Sequence, residues 1–317
     1  MARIRQRGAL VCGVAPGVAG FAQVDEQGRY AGFDVDICRA LSAAIFGTPD
    51  KVRYEPASSV EQFLRAPDVD VVSRRLTWSL QREGMGLLFG PVMFYDGQGF
   101  LVPTRLRVQA VSQLSTLGIC VVAGGLSESN LTRYFQSHKL TLQKILIRPT
   151  AQLDGGFLDG EFSAGRCGAF TADLSELGSL RSGMRRPDDF GILDQQISKE
   201  PLAQLVRQGD VDLFNVLRWT IFAMISAEES GVTSANVSEM VKAGAADPDV
   251  KRLLGVTPGD GKALGLDEAW AANVIKAVGN YGEAFDRNVG ARSPIKLPRG
   301  LNRLWTTGGL MFAPSLR

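Results

Sequence analysis

Between Gly8 and Asp173 the chain alternates short apolar strands with helices, in two similar passes. That alternation constrains the fold more than any other feature, because strand, helix and strand in succession close into parallel pairing with the helix laid over the sheet. In the first pass GALVCGV (8–14), VRYEPA (52–57) and VDVV (69–72) read as strands, and DVDICRALSAAIFG (34–47) and SVEQFLRA (59–66) as helices. Val35, Cys38, Leu41 and Ile45 recur at helical spacing, Gly47 closes that helix and Pro49 follows it. DEQGRYAGF reads as a hairpin turning at Gln27-Gly28. In the second pass GICVVAG (118–124), QKILIRP (143–149) and GAFTAD (168–173) are strands, and SESNLTRYFQS (127–137) and FLDGEFSAG (157–165) are helices.

Two passes of this size suit two α/β lobes, each with its own core. YDGQGFLVP (95–103) and ISKEPLAQLVRQGD (197–210) are extended stretches suited to crossing from one lobe to the other. Two crossings mean that sequence beyond the second lobe completes the first: 1–102 opens the first lobe, 103–201 forms the second, and 202–317 returns to the first with a helical extension. In that last part FNVLRWTIFAMISAEE, SANVSEMVKA, DPDVKRLLG and LDEAWAANVIKAVGNYGEAFDRNVG read as helical, and WTIFAMISA (219–227) as a buried core helix. SPIKLPRGLNRLW is a Pro/Gly-punctuated strap expected over the first lobe, and ARIRQR a solvated terminus.

Charge and motif content exclude several functions. The 35 Lys+Arg are interleaved with 33 Asp+Glu for a net charge of +2, which argues against a nucleic-acid partner. No window holds 18 uninterrupted apolar residues, so no membrane span is expected. The basic start runs into RGALVCGV without an apolar h-region, so the chain is either cytosolic or trimmed. His138 is the only histidine and reads as a surface residue, no CxxC is present, and GxSxG, Walker and Rossmann fingerprints are missing. No metal or cofactor is therefore expected. Cys12, Cys38, Cys120 and Cys167 fall two and two, which fits two local disulfides in an oxidising compartment or four small buried thiols.

What remains is a set of polar residues at the C-terminal ends of strands, where open α/β sheets bind ligands. These are Thr77, Ser79 and Arg82 after VDVV, Gly124, Gly125 and Ser127 after GICVV, and Asp173 after GAFTA. A guanidinium grips a carboxylate through parallel hydrogen bonds, and a helix N-terminus offers free N–H groups, so together they suit an α-carboxylate. An aspartate would accept the α-ammonium. Each residue also has a plain structural reading: Ser127 a helix cap, Asp173 a loop acid, Arg82 a solvated helix residue.

The stretches RGALVCGV, YAGFDVDICRALSAAIFG, FYDGQGFLV, ISKEPLAQLVRQGD and WAANVIKAVGNYGEAFDRNVG resemble the general L-amino-acid-binding proteins of polar amino-acid ABC transporters, in the same order over nearly the whole chain. The resemblance implies a two-lobe type II periplasmic binding protein whose cleft closes on one L-amino acid. It implies a membrane permease of an ABC transporter as partner, action as a monomer, and a periplasmic location with the leader removed or not included. The family's Thr-x-Thr-x-x-Arg pattern falls on Thr77, Ser79 and Arg82, making Arg82 the carboxylate clamp and leaving Arg74 and Arg75 flanking it. Asp173 falls where the family binds the ammonium, Phe21 where an aromatic ring lines the ligand, and the cysteines would pair as Cys12 with Cys38 and Cys120 with Cys167. Three departures stand out. Gly124-Gly125-Leu126 replaces a usual Gly-Thr-Thr, with Ser127 one step later as a partial substitute; Arg75 replaces a small polar residue; and Gly168 replaces an acid. These leave two alternatives: a degenerate sensor or interaction module without amino-acid binding, or a dehydratase on the same fold, for which Glu128 is the acid or base at hand.

Overall fold

The computed structural model describes residues 1–57, 59–148 and 153–316. The chain forms two compact units, one of Met1–Phe94, Leu202–Ser293 and Pro298–Arg317, the other of Tyr95–Pro201 and Pro294–Leu297.

The first unit opens with α1 (Ala2–Arg7), β1 (Leu10–Val14), the ribbon β2 (Gln23–Val24) and β3 (Tyr30–Ala31), α2 (Phe33–Phe46), β4 (Val52–Pro56), α3 (Val60–Arg65), β5 (Val71–Val72), α4 (Leu80–Glu83) and β6 (Leu87–Asp96). ARIRQR is thus a helix and not merely a solvated end. Arg3 and Arg7 of α1 both pair with the buried Asp70, which also accepts the Val11 N–H at 2.8 Å. Every residue of β1 is buried, as a strand covered on both faces requires.

The second unit carries β7 (Gln98–Pro103), β8 (Gly118–Val122), α5 (Leu126–Ser137), β9 (Gln143–Ile147), α6 (Gly155–Ser163), β10 (Ala169–Asp173), α7 (Leu174–Ser182) and β11 (Phe190–Ile192). Pro149, the end of the QKILIRP reading, lies outside the described residues. The chain then returns through β12 (Glu200–Arg207) to a helical series, α8 (Val211–Glu229), α9 (Val237–Ala243), α10 (Pro248–Leu253), α11 (Asp260–Ala263), α12 (Trp270–Val278) and α13 (Tyr281–Asn288). The last two read as one helical run in the sequence. They are separated at Gly279, whose φ is 81°, and at Asn280, which forms a capping box with Glu283.

Both sheets are mixed and not purely parallel. In the first, ordered β4-β1-β5-β12-β6, β1 pairs parallel with β4 and β5, and β12 runs antiparallel to β5. In the second, ordered β11-β7-β10-β8-β9, β8 pairs parallel with β9 and β10, while β7 runs antiparallel to β10 and β11. Strand alternation divides the core of the second unit. Leu101, Phe170 and Ala172 face one side with Leu158 and Leu177, while Phe100, Val102 and Ala169 face the other with Leu131 and Phe135 of α5.

Disulfides join Cys12 to Cys38 and Cys120 to Cys167, the pairs implied by the resemblance. With sequence separations of 26 and 47 residues, their loop-closure contributions are about 3.5 and about 4 kcal/mol. The strap differs from expectation, since only Pro298–Arg317 groups with the first unit. In Pro294–Leu297, Ile295 and Leu297 are buried against Gly178 of α7, and Arg181 donates to the Ile295 carbonyl at 2.8 Å.

Candidate functional site

In the first unit the polar stretch after β5 is held by its own backbone. Thr77 bridges to Leu202, and the Ala203 N–H reaches the Leu76 carbonyl at 3.0 Å, so the segment lies along β12 before turning into α4. Ser79 caps α4, its Oγ accepting the Arg82 N–H at 3.4 Å. Arg82 folds back one turn and donates through Nη1 to the Thr77 carbonyl at 2.6 Å. Thr77, Ser79 and Arg82 are therefore brought together, with the guanidinium oriented through one of its five donors.

Arg75 and Phe21 form an arrangement that spacing did not reveal. Phe21 is only 1% exposed and packs edge-on against Phe33 and Phe94, with ring centroids 6.3 and 5.7 Å away. The Arg75 guanidinium lies 5.2 Å over its ring, so Phe21 faces a cation where the resemblance places it against ligand. Beside them Asp34 is 4% exposed and accepts from Ser73 Oγ at 3.4 Å, and Ser73 Oγ in turn accepts from Gln204 Nε2 at 3.3 Å. Burial pushes the Asp34 carboxyl up to about 6, against the opposing charge of Arg75 and a hydrogen bond from its N–H.

In the second unit Gly125 is the N-cap of α5 and makes no side-chain cap, and Ser127 lies in the first turn. Gly124 takes φ 80° and donates its N–H to Glu128 Oε2 at 2.9 Å, while Glu128 Oε1 meets Lys144 Nζ at 2.6 Å. The Lys144 hydrogen bond, then that of Gly124, hold the Glu128 carboxyl below its ordinary range. A carboxylate so engaged is a poor general acid near neutrality, which counts against Glu128 in the acid role of the dehydratase alternative. Asp173 ends β10 and precedes α7 without its side chain capping that helix; Asp96 does so instead, accepting the Ser175 N–H at 3.3 Å.

Gln98 was missed because YDGQGFLVP reads only as an extended crossing. It pairs directly with Asp173 across β7 and β10 and is fully buried. Its Nε2 donates to the Ser127 carbonyl at 2.9 Å and to Thr171 Oγ1 at 3.0 Å. A lone amide flanked by Gly97 and Gly99 in an otherwise apolar strand was the available signal. A groove of about 760 Å³ in the same unit, lined by Pro103, Arg105, Phe162, Arg185 and Phe190, lies at the other end of β7. His138 is exposed and stacks on Tyr134. Among the described residues no group of three or more His, Cys, Asp or Glu could hold a metal, and no helix is long and apolar enough to cross a membrane.

Comparison with known proteins agrees with this layout. The model of the bacterial extracellular solute-binding proteins, family 3, matches residues 10–234. The general L-amino acid-binding periplasmic protein AapJ of Rhizobium johnstonii is 45% identical over 319 residues, covering 99% of this chain and 92% of the relative. The glutamate/glutamine/aspartate/asparagine-binding protein BztA of Rhodobacter capsulatus is 42% identical, covering 99% and 92%. An ABC transporter periplasmic binding protein from Brucella ovis, solved with glutathione bound, is 42% identical with a TM-score of 0.86, covering 100% of this chain and 98% of that one.

Proposed function

The chain belongs to the bacterial extracellular solute-binding proteins of family 3, and from that premise we propose that it captures an L-amino acid for uptake by an ABC-transporter permease. It does so outside the cytoplasm, as a monomer, and turns nothing over. The Thr77–Ser79–Arg82 turn carries this reading, because the Thr77 carbonyl fixes a guanidinium fork beside a hydroxyl at the end of β5. Such a fork takes an α-carboxylate through two charge-assisted hydrogen bonds. The first turn of α5, through Gly125 and Ser127, adds N–H groups and the positive end of a 12-residue helix. Asp173 receives the α-ammonium. Arg75, stacked over the buried Phe21 ring, offers a cation to the side chain, which suits polar or acidic amino acids, the class in the name of the Rhodobacter relative. Greater affinity of the ligand for a closed form drives closure.

A thermal-shift panel of the twenty L-amino acids followed by calorimetry tests this. A ligand at 100 times its dissociation constant adds about 2.7 kcal/mol of stability, which for 317 residues raises the midpoint by about 4 °C. Arg82→Ala is expected to weaken binding at least about a hundredfold with little change in the apo midpoint, since Arg82 is only partly buried. A panel without a hit, or wild-type affinity in Arg82→Ala, refutes the reading.

A further inference from the structure

The Gln98 amide has only one orientation compatible with its neighbours. The Ser127 carbonyl can only accept, and the Thr171 hydroxyl already donates its proton to the Gly99 carbonyl at 2.7 Å. Both neighbours therefore require the NH2 group, and both of its hydrogens are used. The carbonyl oxygen must point the other way, and it has no hydrogen-bond partner among the described residues although the whole side chain is buried. Buried carbonyl oxygens nearly always have a donor, so an orphan of this kind calls for one.

Its position suggests which donor. Gln98 and Asp173 are directly opposite on antiparallel strands, so their side chains leave the same face of the sheet, and Thr171, two residues earlier on β10, shares that face. Phe100, Val102 and Ala169 mark it as the face covered by α5. The amide thus sits at the polar end of that core layer, tied by its NH2 to the first turn of α5 and placed beside the aspartate that ends β10. An ammonium group has three N–H donors, and one carboxylate rarely satisfies all of them.

We propose that Gln98 is a ligand-binding residue: its carbonyl oxygen accepts one N–H of the ligand's α-ammonium alongside Asp173, while its NH2 fixes the α5 turn that serves the carboxylate. This rests on the amino-acid-binding reading above. It makes the site selective for a primary amine, because a secondary amine with one N–H fewer leaves the Gln98 oxygen without its donor.

Calorimetry decides, using the tightest-binding of the twenty free L-amino acids and its N-methyl derivative as probes. Wild type is expected to bind the N-methyl derivative at least about tenfold more weakly than the parent. Gln98→Met, which removes the acceptor with little change in volume, is expected to lose about tenfold toward the parent and to shrink the N-methyl penalty below threefold. A purely structural role would leave that penalty as large as in wild type, and this result overturns the proposal. Should Gln98→Met not fold, Gln98→Leu likewise removes the acceptor at similar size and is expected to shrink the penalty below threefold; a penalty as large as in wild type overturns the proposal equally. If no free amino acid binds wild type, the amino-acid-binding reading itself fails. If amino acids bind and Arg82→Ala abolishes binding while Gln98→Met changes neither affinity nor penalty, only the role of Gln98 fails.

Discussion

Replacing Asp34 with asparagine should flatten part of the pH dependence of stability. A carboxyl that ionises near 3.8 in the unfolded chain and at about 6 in the folded one makes the folded state bind more protons across that window. Stability from this group is therefore fully present below about pH 4 and is lost as pH rises through about 6. The difference corresponds to about 3 kcal/mol, and most of it falls between about pH 4 and 7. Asparagine preserves an acceptor for Ser73 Oγ, now 3.4 Å from Asp34, and for the Arg75 N–H, without the burial cost of a charge. Urea denaturation of wild type and Asp34→Asn at half-unit steps from pH 4 to 7.5 measures the effect. The wild-type curve should fall relative to the mutant by about 2–3 kcal/mol toward neutral pH. Parallel curves would mean that Asp34 titrates normally, and that Arg75 and Ser73 fully offset its burial.

Two further perturbations test the packing that supports the site. The double variant Cys120→Ser, Cys167→Ser should lower the stability of the second unit by about 4 kcal/mol, read as an earlier calorimetric transition; an unchanged transition would place the bond outside the folding energetics. Gly178→Val should detach the Pro294–Leu297 segment, because even a Cβ at Gly178 would lie 2.9 Å from Ile295 Cγ2 and 3.0 Å from Leu297 Cδ2. Limited proteolysis near Lys296 should then accelerate several-fold, and wild-type resistance would show that the segment is held by other contacts.

Which elements the sequence revealed follows from where their determinants lie. The strands β1, β5, β8 and β10 and the helices α2 and α5 announce themselves through local periodicity, and their ends carry Thr77, Ser79, Arg82, Ser127 and Asp173. The strand β6 escapes because LLFGPVMFYD contains Gly90 and Pro91, which read as breakers. Gly90 packs closely, since a Cβ there would press on Leu217 Cδ2 at 3.1 Å, and the strand lies at the edge of its sheet, where proline is tolerated. The break between α12 and α13 was written locally, as Asn280 and Glu283 at capping-box spacing. Pairings between distant positions leave no such mark. Nothing near ARIRQR points to Asp70, nothing near Phe21 points to Arg75, and nothing in YDGQGFLVP says that Gln98 will meet the first turn of α5.

The second unit cannot be cut from this chain as a single length of polypeptide. Four of its residues, Pro294–Leu297, come from nearly a hundred positions beyond Pro201, and they bring Ile295 and Leu297 onto α7. A fragment of 95–201 would bare the apolar surface around Gly178 and leave Arg181 without the Ile295 carbonyl. Supplying a short peptide with the sequence of that segment would restore it, so the unit lends itself to fragment complementation: two pieces, neither complete, whose reassembly reports on the fold itself.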